Sequence, residues 1–225
     1  MGGGTQLIRL LLALGAISAC SIAGAAVLWD QPYDGASEAA LSQTMSDAPM
    51  LSTYEFDDFE VGSLGWRIAQ IRIRGREGIS PPGDPTHNVT VRFRIQSAAN
   101  AVFPGTVFAQ FDSASSYEGP DLLFGGLDIE LAPGTYWLTA SVDRPLVPGG
   151  QWFWLRTAAT QNGLEHRFHN PGGGFGFGTD PIPGSTVFGD ASDLSFRIEG
   201  AIVPEPTALT GLMLGVGWLV RRKAR

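Results

Sequence analysis

The sequence is poor in the residues that build disulfides, metal clusters and basic surfaces. Its one cysteine, Cys20, lies near the start, which excludes an intradomain disulfide and any zinc site built on several thiolates. Lysine occurs once, as Lys223, and charged residues make up only 16% of the 225 positions. Between Asp30 and Glu199 the acids outnumber the arginines about two to one, so that segment is strongly anionic; a phosphate backbone would be repelled, and nucleic acid is not an expected partner. The three histidines, His87, His166 and His169, fall in no His-Glu-x-x-His pattern and read as ordinary exposed side chains. A Gly-x-Ser-x-Gly elbow for a serine nucleophile is also missing. No segment between Val27 and Ala201 carries a long 3.6-residue period; at most a short helix is expected over 36–45.

What is abundant is glycine (30), proline (15) and apolar residues (44%), the composition of many short strands joined by tight turns. Val89, Val91, Phe93 and Ile95 share one face of a strand, opposite Thr90, Arg92 and Arg94. From Trp66 to Arg74 the same alternation slips phase between Ile68 and Ile71, which predicts a β-bulge. Further strands are expected over Thr106–Phe111, Leu127–Leu131, Thr135–Val142, Gln151–Thr157 and Leu194–Glu199, with Ala132-Pro133-Gly134 closing a hairpin. Seven to nine such strands predict an all-β fold, an antiparallel, jelly-roll-like sandwich.

Both ends differ from this pattern. Residues 1–26 read as a signal peptide and its helix: Arg9, the apolar run Leu10–Ile17, then Ala23-Gly24-Ala25, a signal-peptidase site with cleavage after Ala25 or Ala26. A rival reading is the lipobox-like Ile17-Ser18-Ala19-Cys20, which would make Cys20 a lipidated N-terminus. Residues 202–225 contain Pro204-Glu205-Pro206, then Thr207–Val220 with no charge, then the basic anchor Arg221, Arg222, Lys223 and Arg225. The apolar piece is short for a transmembrane helix, and the basic cluster would hold its end on the cytoplasmic side.

This motif, apolar segment and basic tail resemble the PEP-CTERM sorting signal of exported bacterial proteins. The resemblance implies recognition of Pro204, Glu205 and Pro206 by an exosortase-type enzyme, after signal peptidase has acted at the other end. It also implies membrane insertion through the C-terminal helix before processing. The route it implies runs through the inner membrane to the cell envelope, cell surface or extracellular matrix, in bacteria that make polysaccharide biofilm. In the middle segment, 27–201, Leu28-Trp29-Asp30-Gln31, Phe56–Phe59, Pro133–Leu138 and Leu194–Gly200 are similar to the sandwich domains of such proteins.

The expected role is therefore non-enzymatic, structural or adhesive. Two alternatives stand beside it. Trp152 and Trp154 share one strand face, and an outward pair would stack on sugar rings, making the domain a carbohydrate-binding module for extracellular polysaccharide. Asp57, Asp58 and Glu60, with Asp190 and Asp193, could serve a hydrolase as paired carboxylates. Asp57, Asp58, Asp190 and Asp193 could instead bind calcium if the two ends of the domain lie side by side; no other cofactor is expected. Gly172–Gly178, preceded and followed by proline, has no helix to cradle a phosphate and reads as a flexible surface loop beside a binding face.

Overall fold

A computed structural model describes residues 25–35, 38–78, 90–100, 103–114, 117–118, 121–147, 149–158 and 160–203. The leader before Ala25, with Arg9 and Cys20, lies outside these residues, as do His87, the sorting motif, the apolar segment and the basic tail.

In chain order the strands are β1 (Ala26–Gln31), β2 (Ala39–Leu41), β3 (Gln43–Thr44), β4 (Tyr54–Val61), β5 (Gly65–Ile73), β6 (Gly75–Glu77), β7 (Thr90–Asn100) and β8 (Phe103–Ala114). They continue as β9 (Tyr117–Glu118), β10 (Asp121–Leu131), β11 (Gly134–Asp143), β12 (Trp152–Leu155), β13 (Arg167–His169), β14 (Ile182–Pro183) and β15 (Phe196–Val203). Helix is confined, among the described residues, to α1 (Gly184–Phe188) and a 3₁₀ turn at Pro49–Leu51, so no described helix is long and apolar enough to cross a membrane.

Two antiparallel sheets face each other. One has the order β1-β15-β5-β10-β9, the other β14-β13-β4-β11-β7-β8, with β3 adding a short parallel pairing to the end of β11. A small third sheet, β2-β12-β6, closes one side. The all-β antiparallel expectation holds: nine of the described strands have four or more residues. The core lies between the sheets because each strand turns one parity inward. Phe59 of β4 stacks on Trp66 of β5 across the gap (5.9 Å between centroids) and on Tyr136 beside it, while Phe93 of β7 meets Phe124 of β10 edge-on at 4.8 Å.

The predicted bulge is present. The pairings of β5 with both β15 and β10 slip between Ile68 and Gln70, and this keeps Trp66, Ile68, Ile71 and Ile73 all buried. Gly200 sits opposite it: a Cβ there would lie 2.1 Å from the Arg67 carbonyl oxygen.

Two local expectations are corrected. Within 36–45 the described residues form β2 and β3 rather than a helix, because Ala39–Leu41 pairs with β12 and Gln43–Thr44 with β11. Pro133-Gly134 does not close a hairpin. β10 and β11 lie in different sheets, and the turn carries the chain across the core so that Leu131 and Leu138 are buried from opposite sides. A Pro-Gly turn serves either geometry, so the local sequence did not distinguish them.

Gly200→Ala should lower stability by about 1–3 kcal/mol, since backbone rather than a pliable side chain occupies the space. Gly62→Ala, with no atom within 4 Å of the added methyl, should leave the urea midpoint nearly unchanged. Equal midpoints for the two variants would contradict this account of the bulge.

Candidate functional site

The aromatic pair does not form a binding face. Trp152 and Trp154 share one parity, as expected, but both are fully buried beneath the small third sheet. Trp154 donates its Nε1–H to the Ser195 carbonyl at 2.9 Å and meets Phe196 edge-on, so the outward tryptophan pair is corrected to a core pair. A short strand between two others has both faces available for cover, and parity alone does not say which is dry.

The acids behave differently from one another. β4 turns Glu55 and Asp57 inward with Phe59 and Val61. Asp57 accepts hydrogen bonds from Leu194 N (2.5 Å), Gln31 Nε2 (2.9 Å) and Asp58 N (2.9 Å). Asp58, on the opposite parity, lies under the loop before β13 and accepts from Leu164 N at 2.9 Å. Asp193 accepts from Gln161 N and Asn162 N at 2.6 and 2.9 Å. Burial raises the pKa of all three, and the neighbouring Asp193 charge raises Asp57 further. Asp190 stands apart, half exposed, as the partner of Arg156 at 2.9 Å. The structure thus gathers three of the four residues expected to bind calcium and directs their oxygens at backbone amides. Among the described residues no group of three or more acid, histidine or cysteine side chains is arranged to hold a metal.

His166 is buried rather than exposed, which corrects its reading as a surface histidine. Its Nδ1–H donates to the Ser192 carbonyl at 2.7 Å, leaving Nε2 facing Glu55 at 3.7 Å. Ser192 Oγ lies 3.4 Å from the same Nδ1. A serine, a histidine and a glutamate therefore meet, yet all three are completely buried and Nδ1 is occupied by a carbonyl; the group locks the fold and offers a substrate no entry. It lends no support to the hydrolase alternative. His169 packs against Tyr54 and Phe56. The loop Gly172–Gly178 is pinned rather than loose: Asn170 Nδ2 donates to the Met50 and Ser52 carbonyls, and a Cβ at Gly172 or Gly174 would collide with Met50 backbone.

A polar cleft lies on the outer face of the first sheet, built from the alternating charged residues of its strands. It has a volume of about 840 Å³. Register sets its walls: Asp30 of β1, Arg197 of β15 and Arg72 of β5 lie side by side, and Glu199 lies beside Gln70 one row along. Arg197 pairs with Glu199 at 2.7 Å and with Asp30 at 3.6 Å. Asp121 holds Arg74 at 2.7 Å and Arg72 at 3.6 Å. Pro32 and Tyr33, just beyond β1, form a rim.

Compared with known proteins, the chain matches no family model, and no curated protein matches it.

The buried acids and His166 predict opposed pH dependences. Asp193 is pushed up to about 6 by burial, from an ordinary 3.8. Between those values the native state holds a proton that the unfolded chain releases, so its contribution falls as pH rises from about 4 to 6. His166, pushed down to about 4 from 6.5 by burial, works the other way, and its contribution grows as pH rises through that window. Asp193→Asn removes the first effect and also relieves the upward push on Asp57, both in the same direction: wild type should lose stability relative to the variant as pH rises from about 4 to 6 in urea titrations. A constant difference across that range would contradict it.

Proposed function

We propose that this is an exported, non-enzymatic bacterial protein of the cell surface or extracellular matrix, sorted through the Pro204-Glu205-Pro206 tail by an exosortase-type enzyme. The observation that carries the reading is the fit between the folded domain and the signals flanking it. The first described strand begins at Ala26, next to the Ala23-Gly24-Ala25 cleavage site, and among the described residues the last pairing, Val203 with Gly65, lies beside Pro204. Cleavage after Ala25 spares the whole of β1, including the Ala26–Gly200 pairing; cleavage after Ala26 would remove it. Both processing events would then leave every described strand uncut.

The sandwich is of the jelly-roll kind on this reading. Its eight principal strands fall into two groups of four, β1-β15-β5-β10 and β4-β11-β7-β8, and the chain alternates between them except at the β7–β8 hairpin. That alternation and order support the assignment. A signal helix precedes the domain, and a short membrane helix with its basic anchor follows, holding the protein at the inner membrane until processing. Signal peptidase and the sorting enzyme are its processing partners. The domain acts outside the cell in adhesion or matrix structure, with extracellular polysaccharide as the expected contact; calcium and other cofactors have no part in the proposal.

Replacing Pro204, Glu205 and Pro206 together by alanine should leave the full-length chain in the inner-membrane fraction, while the unchanged sequence yields a shortened product in the envelope or matrix. Identical size and distribution of the two on immunoblots of fractionated cells would contradict the sorting role.

A further inference from the structure

We infer that the outer-face cleft binds a neutral polysaccharide strand, an inference that rests on the proposed delivery of the domain outside the cell. At about 840 Å³ the cleft falls within the size of small-molecule sites, roughly 300–1,000 Å³. Its charges cancel: three guanidinium groups, Arg72, Arg74 and Arg197, face three carboxylates, Asp30, Asp121 and Glu199. An anion site would leave cations uncompensated. Here each arginine lies within 3.6 Å of an acid, so a phosphate or uronate gains little attraction.

Hydroxyl groups make the opposite demand, because each both donates and accepts. Asp121 is taken up by Arg72, Arg74 and the Gly75 amide, while the ion-paired Asp30, Arg74 and Arg197 are about half exposed and present carboxylate acceptors and guanidinium donors to the cleft. Neighbouring donors and acceptors at fixed spacing suit vicinal diols. Gln70 adds an amide with both functions, and Tyr33, 36% exposed, places an aromatic ring at the rim where the apolar face of a sugar can rest.

The position of the cleft fits this use. Ala26 pairs with Gly200, and Val203 ends the neighbouring strand, so the leader and the tail leave the sandwich from the same end of one sheet. Asp30, Tyr33, Arg74 and Arg197 cluster toward the other end, where Gln31 pairs with Phe196. β15 has eight residues, which separates its two ends by roughly 24 Å. A domain tethered through either terminus would therefore present the cleft away from the tether.

The test is affinity electrophoresis of the exported full chain in gels containing a neutral β-glucan, a neutral galactomannan or polygalacturonate. Retardation by at least one neutral polymer, little changed by salt, is expected. Arg197→Ala and Asp30→Ala, at side chains 41% and 43% exposed, should weaken it on the order of tenfold. Arg67→Ala removes a comparable pair, with Asp128 at 2.5 Å, on the same sheet face outside the cleft, and should change binding less than about twofold. Retardation by polygalacturonate alone, no retardation by either neutral polymer, or equal losses in the Arg67 and Arg197 variants would overturn the inference. Since binding is read on isolated protein, its failure leaves the sorting result untouched, and a failure of sorting leaves the binding result untouched.

Discussion

Asp57 is the residue on which the arrangement of the two sheets turns. It stands on the inward face of β4, where a carboxylate is costly to bury, and the cost is offset by three donors from three different places. Leu194 N belongs to the approach to β15, Gln31 Nε2 to the end of β1, and Asp58 N to β4 itself. Gln31 also donates to the Leu194 carbonyl and takes a hydrogen bond from Trp29, while Ser195 Oγ donates to the Gln31 carbonyl. One carboxyl group thereby joins a strand of one sheet to two strands of the other. Removing it would leave a buried amide and a buried carboxamide short of partners, a larger penalty than losing an exposed ion pair.

That joint has consequences for both ends of the domain. β1 and β15 are pinned together where Gln31 meets Phe196, and they run antiparallel from there to Ala26 and Val203. Aromatic packing of Phe59 with Trp29, Trp66, Tyr136 and Phe196 holds the same strands farther along. With inner faces committed to this core, the outer face of the sheet is left to the crossed ion pairs of Arg72, Arg74 and Arg197. The dry clamp and the polar cleft are the two sides of one sheet, set by the parity of β1, β5 and β15.

Much of this was legible in the sequence, and the failures have specific causes. The phase slip between Ile68 and Ile71 placed a bulge correctly because burial of both residues admits no other regular solution. Simple alternation over Leu194–Glu199 matches the burial of Leu194, Phe196 and Ile198. Asp57 shares parity with Phe59 and Val61, but Phe56 has the opposite parity, so alternation alone did not show that this carboxyl faces the core. Trp152 and Trp154 had the correct shared face; what meets Trp154 there, Phe196 and the Ser195 carbonyl, is remote in sequence. The cleft left no motif because it is assembled from four strands by register, and its individual signals are the charged outward residues of any amphipathic strand.

On the proposed reading, the two flanking signals can be removed without cutting any described strand of the sandwich. Mass-spectrometric mapping of both termini, on protein recovered separately from inner membrane, envelope and matrix, tests that joint claim most directly. The account predicts a mature chain that begins at Ala26, has lost the segment after the Pro204-Glu205-Pro206 region, and resides in the envelope or matrix. An intact tail through Arg225 confined to the inner membrane would contradict it.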